Sequence, residues 1–169
     1  GDVVKFRGVP EAEPIKVEHY DQPVIYYDRE IEQYRREEDS EGDVSYSWKT
    51  EKSTSEFVPF TIDGIRVEPG DAKVIGAREV FEGIKPTGSR SAGFDPSLVG
   101  RHEPEVGDQR LSLEIIDAGE ELIVFGRKKG DTVAGGSTFV ISALDDLSTA
   151  AELKAEYRLF YWLLKGGAI

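Results

Sequence analysis

The sequence predicts a mainly β protein of the α+β class, with two small antiparallel β units and one helix at its C-terminal end. Three observations carry this. Asp63-Gly64 stands between Phe60-Thr-Ile62 and Ile65-Arg-Val67, and a two-residue Asp-Gly loop permits the positive φ that a type I′ hairpin requires at both central positions. Short runs of alternating or apolar β-formers recur along the chain between Gly- and Pro-containing turns. The only convincing helix comes at the end of the chain, opened by the capping box Thr149-Ala-Ala-Glu152.

Taken in order, residues 2–9 alternate Val4 and Phe6 with Lys5 and Arg7, as a half-buried strand does, and Gly8 suggests a bulge or bend. Ile15 to Val17 reads as a short strand among Pro10, Pro14 and Pro23. Val24 to Arg36 is a long strand with Ile25, Tyr27 and Ile31 on one side and Asp28, Glu30 and Glu32 on a wet one. An acidic tip, Glu37 to Asp43, turns the chain into Val44-Ser-Tyr-Ser-Trp48, whose Val44, Tyr46 and Trp48 fall at period two. Core packing is the expected role of Trp48, with an exposed binding aromatic as the alternative. Beyond the Asp63-Gly64 hairpin, Pro69-Gly70 makes a second turn, and Ala72 to Ile75 is expected to return along the hairpin as the third strand of a meander.

Residues 83–108 are rich in Gly and Pro, which marks either a functional loop or a joint between subdomains. Within them Asp95-Pro96 has the cap and first position of one helical turn. A second strand group follows at Leu111–Ile116, Glu121–Arg127 and Thr138–Ser142, and Gly1–Gly8 weakly echoes Gly119–Gly126. The expected organisation is therefore a β unit over 1–82, a connection over 83–108, a second β unit over 109–148 that with the first could form OB-like barrels, and a helix over 149–169. From Tyr157 onward that helix is increasingly apolar, and Tyr157, Tyr161, Trp162 and Lys165 are residue types that gather at a bilayer interface. It reads as the start of a transmembrane segment, or alternatively as a helix packed on the domain's own core or on a second copy.

Composition narrows the chemistry. With 33 acidic against 21 basic residues the formal net charge is −12, which repels a phosphate backbone and argues against nucleic acid. Acidity spread along a chain is typical of salt-adapted, halophilic proteins and equally of any soluble acidic surface. The absence of Cys removes disulfides, thiol nucleophiles and Cys-based zinc sites. The absence of Met leaves no initiator, so the chain is expected to be processed or part of a longer protein. His19 beside Glu18 and Asp21, the acidic tip, and His102 beside Glu103 and Glu105 all lack ligand or catalytic spacing. No catalytic residue, metal or cofactor is assigned.

The order of Gly1-Asp-Val-Val-Lys-Phe-Arg-Gly8, Pro23-Val-Ile-Tyr-Tyr27, Trp48-Lys-Thr-Glu51, Val58-Pro-Phe60, Asp63-Gly-Ile-Arg-Val-Glu-Pro69, Gly119 with Leu122-Ile-Val-Phe-Gly126, and Phe139-Val-Ile-Ser142 before the final helix resembles the GIDE, or "beside a membrane", domain. The family includes the mitochondrial outer-membrane E3 ubiquitin ligase and bacterial and archaeal membrane relatives. The resemblance implies a soluble domain between two transmembrane helices, on the non-cytoplasmic side, serving as a protein-interaction or substrate-recognition module. Its contacts would be a protein partner of unknown identity and the lipid bilayer through the flanking spans. Arg158 and Lys165 alone are too little charge for the positive-inside rule to set orientation. Ligase activity in the family belongs to a RING, whose zinc scaffold this Cys-free sequence cannot supply. The family's Ser-Gly-x-Pro-Cys is replaced here by Tyr20-Asp-Gln-Pro-Val24, which removes its Cys. The alternative expectation is a structural or self-associating element of the membrane surface with no catalytic role.

Overall fold

The computed structural model of the chain describes residues 1–89, 93–136 and 138–153. In chain order the strands are β1 (Asp2–Gly8), β2 (Val24–Glu38), β3 (Val44–Phe57), β4 (Phe60–Ile62), β5 (Ile65–Glu68), β6 (Lys73–Ile75), β7 (Arg78–Lys85), β8 (Gln109–Asp117), β9 (Leu122–Lys129), β10 (Thr132–Ala134) and β11 (Val140–Ser142). A single 3₁₀ turn, Pro96–Leu98, interrupts the β7–β8 connection, and helix α1 (Asp146–Leu153) follows β11. The protein is mainly β, as expected.

Among the described residues the strands form two sheets, and neither closes into a barrel. The first runs β4-β5-β10-β9-β11-β6, with β1 on the other side of β9. It is mixed, because β10 pairs parallel with β5 and β11 parallel with β6. The second is antiparallel throughout, in the order β3-β2-β8-β7. The OB-like barrels are thus replaced by two open sheets, and both draw strands from either side of residues 83–108. That segment connects β7 to its immediate neighbour β8 within one sheet.

The Asp63-Gly64 hairpin forms as expected: Ile62 pairs with Ile65, and Asp63 and Gly64 have φ of 49° and 79°. The expected third strand does not return along it. Gly70 adopts φ 45° and the Ala72 amide donates to the Pro69 carbonyl at 2.8 Å, but β6 then leaves to pair with β11. A turn fixes the direction of the next few residues and not the partner they find, so no meander forms.

The first sheet is covered on both faces, which explains why Leu122-Ile-Val-Phe125 is apolar without alternation. Leu122 and Val124 join Phe60, Val67, Ile116 and Ile141 in the core between the sheets. Ile123 and Phe125 point the other way, to Val140, Ile75 and Leu153 of α1. The echoing segments at 1–8 and 119–126 end up hydrogen-bonded, since β1 pairs antiparallel with β9. A third cluster covers one face of the second sheet, where Val24, Leu113 and Ile115 meet Ile15, Val17 and Tyr20 of the segment before β2.

Helix α1 begins earlier than the Thr149-Ala-Ala-Glu152 signature predicts. Asp145 is the residue that caps it, with its carboxylate accepting from the Ser148 amide at 2.7 Å. Thr149 is buried inside the helix instead, and its hydroxyl lies 2.6 Å from that of Ser142. Asp145 caps the helix from the surface, whereas Thr149 satisfies a buried hydroxyl of β11.

Candidate functional site

The candidate site is the face of the second sheet left uncovered by the described residues, together with the outer edge of β3. Strand β3 is 14 residues long, roughly 46 Å at the usual rise per residue. Among the described residues nothing pairs with its outer side. A register shift opposite Ile31 and Glu32 leaves Glu51 without a counterpart, a bulge that splits the edge into two regular runs flanked by Lys49 and Lys52. Such bulges and edge lysines keep an edge from pairing indiscriminately.

Pleat alternation along β2 sends Tyr26, Asp28, Glu30, Glu32 and Tyr34 to the same face, so the wet side read from the sequence is the uncovered one. At its inner end Tyr26 and Phe57, with ring centroids 5.0 Å apart, pack against the inter-sheet core. Beside them a cleft of about 290 Å³ is lined by Tyr26, Ser55, Glu56, Phe57, Asp71 and Val74 among others.

Next along the face comes a row of carboxylates. Asp28 lies opposite Glu114 in the β2–β8 ladder, and Glu114 lies opposite Glu79 in the β8–β7 ladder. None of the three makes a hydrogen bond or ion pair with a described residue, whereas the next acids along β2 are matched: Thr50 donates to Glu30, and Arg110 donates to Glu32 at 2.9 and 3.1 Å. Burial raises the Asp28 carboxyl above its usual range, with Glu30 adding to it. Burial likewise raises Glu114, with further contributions from Asp28, Glu79 and Glu30. The Tyr26 hydroxyl is pushed up to about 12 by burial and by the charges of Asp28 and Glu114.

At the outer end the same face carries aromatics. Tyr34 sits opposite Trp48, ring centroids 5.3 Å apart and edge to face, and stacks toward Tyr46 at 6.3 Å. The Arg110 guanidinium lies 4.5 Å above the Trp48 ring. Trp48 is half-buried in this stack and takes no part in the core, which corrects its expected packing role, and Tyr46 is 54% exposed. The β2–β3 hairpin extends past the first sheet, so among the described residues no apolar layer covers these rings. No protein-family model, curated protein or solved structure matches the chain.

The loop of residues 86–108 borders the aromatic end. Its anchor is Asp108, fully buried, whose carboxylate accepts from the Thr87 amide at 2.7 Å and the Glu105 amide at 2.8 Å, with Nε2 of His102 2.7 Å away. Burial acts to raise this carboxyl, but the amides of Thr87 and Glu105 and the His102 ring outweigh it and hold it below the usual range. His102 is accordingly part of a loop clasp. His19, the other histidine, has φ 74° and stacks on Phe81 with centroids 4.2 Å apart. The expected helical turn is present, with the Asp95 carboxylate accepting from the Ser97 amide and Pro96 in the first turn.

On the covered face, Tyr20 donates to Asp117 at 2.6 Å and Arg78 donates to both, tying the segment before β2 to β7 and β8. Nearby, Nε of Arg29 is buried without a partner, beside a cleft of about 370 Å³ lined by Ile15, Val17, Tyr27 and Leu113.

Tyr157, Tyr161, Trp162 and Lys165, the membrane-interface candidates, lie outside the described residues. Among the described residues no helix is long and apolar enough to cross a membrane, and no group of His, Cys, Asp and Glu could hold a metal ion. The carboxylate row and the aromatic stack escaped sequence reasoning because they exist only through cross-strand register. Charged residues at alternate positions of β2 and a Tyr-x-Trp in β3 were their only linear traces.

Proposed function

We propose that this chain is a non-catalytic protein-interaction module, held beside a membrane by flanking segments, that receives an extended partner segment on the edge of β3 and the uncovered face next to it. The observation that carries the reading is the long unpaired edge with Tyr46 and Trp48 standing on its open face. Backbone groups along such an edge accept a partner strand, and alternate side chains of that strand then reach pockets on the sheet. The GIDE-like motif order supports the membrane setting and a recognition role in an E3 ubiquitin ligase-like protein, with any RING outside these residues. Rings that can meet a partner with little loss of side-chain entropy support docking over catalysis.

Photo-crosslinking from position 46 of the full-length protein in native membranes tests this. A protein adduct that disappears when the probe is moved to position 63, in the other sheet, supports the module. Adducts with lipid alone refute it. The same free edge also favours a second reading, a structural element that pairs with its own copy; crosslinks only between copies, with a defined oligomer by sedimentation, would establish that instead.

A further inference from the structure

The carboxylate row defines what kind of segment the face accepts. Like charges directly opposite in adjacent strands destabilise a sheet, and here the arrangement runs across three of them, Asp28 to Glu114 to Glu79. The chain holds basic residues close by, yet Arg110 is committed to Glu32 and Trp48, and no described cation reaches the row. The row is flanked on one side by the cleft beside Tyr26 and Phe57, which Glu56 and Asp71 also line, and on the other by the aromatic stack. From Asp28 to Tyr34 is about 20 Å along the strand, the reach of roughly six extended residues.

We propose that the occupant of this face is a cationic extended segment of a partner protein, whose Lys or Arg side chains meet Asp28, Glu114 and Glu79. The inference rests on the reading that this face docks a partner, and it specifies that partner's chemistry. Charge complementarity is its basis: a cation placed over the row removes the mutual repulsion that no described residue relieves, so binding gains both attraction and relief. The rings beyond the row then discriminate among cationic segments, because Arg and Lys also favour the faces of Trp and Tyr.

The test uses the full chain and two synthetic peptides of about ten residues, one with alternating Lys or Arg and a central Leu, the other identical but with Glu in place of each cation. The cationic peptide is expected to bind, with affinity falling about tenfold or more in the double variant D28N/E114Q. A control that removes the same charge from the segment between β1 and β2 and from the β4–β5 turn, E13Q/D63N, is expected to leave affinity within about twofold, which separates this face from the general attraction of an acidic protein. D28N/E114Q is expected to fold at least as well as the parent, so lost binding cannot be attributed to unfolding. Equal affinity for the two peptides, or equal loss in both variants, overturns the proposal. If position 46 still crosslinks to a partner protein while the cationic peptide fails to bind, the cationic chemistry fails and the docking reading stands; if neither occurs, both fail.

Discussion

Asp28 and Glu114 face each other across the β2–β8 ladder, two carboxylates in register with no described cation within ion-pair reach of either. A folded sheet that keeps such a pair sacrifices stability at that point, which is characteristic of a surface shaped for something other than folding. Because both carboxyls titrate above their usual range, the fold binds their protons more tightly than the unfolded chain does. Their contribution is therefore most favourable below about pH 4 and is lost as pH rises through the raised values. D28N and E114Q are each expected to stabilise the protein at pH 7 by about 0.2–1 kcal/mol, toward the lower figure because solvent screens the row. Denaturant melts at pH 7 and pH 4 check this, and no gain at pH 7 would show that the repulsion is already relieved.

Asp108 has the opposite sign. Its carboxyl is held below the usual range, so the stability it contributes is present above about pH 4 and is lost as pH falls through the lowered value. D108A should cost about 2–3 kcal/mol, since it leaves the Thr87 and Glu105 amides without their acceptor in a buried position. Hydrogen exchange at those two amides should rise with it. H102A removes a single contact and is expected to cost less.

The cap of α1 distinguishes Asp145 from Thr149. D145A is expected to lower stability by about 0.5–2 kcal/mol through loss of the Ser148 contact. T149S keeps the hydroxyl 2.6 Å from Ser142 and should be milder than T149V, which strands the buried Ser142 hydroxyl. Were Thr149 the true cap, D145A would leave the thermal midpoint unchanged while T149V lowered it.

Gly64 tests the hairpin. With φ 79° and no atom within 4 Å of where a Cβ would stand, its constraint is conformational and not steric. G64A should therefore cost about 1 kcal/mol, and G64V more, because β-branched residues resist the left-handed region. G64N should recover much of the loss, as Asn tolerates that region best after Gly. A G64N no better than G64V in urea melts would mean that the turn is not what limits the hairpin.

Local chemistry was legible from the residues alone. The Asp63-Gly64 hairpin, the Asp95-Pro96 turn, the long strand from Val24 and its acidic wet side all follow from propensities and spacings within a few residues, where sequence distance and spatial distance coincide. The acidic composition and the lack of Cys were likewise complete in the sequence. Tertiary structure decided everything that depends on which distant strand a segment meets. It sent β6 to β11 and away from the hairpin, kept both sheets open, and moved Trp48 from an expected core to a half-buried stack with Tyr34 and Arg110. It also set Asp28, Glu114 and Glu79 in one row, though the three are far apart in the chain. A strand's alternation states which side chains share a face but not the register of its neighbours, and a slip of one residue would have scattered that row to opposite faces of the sheet.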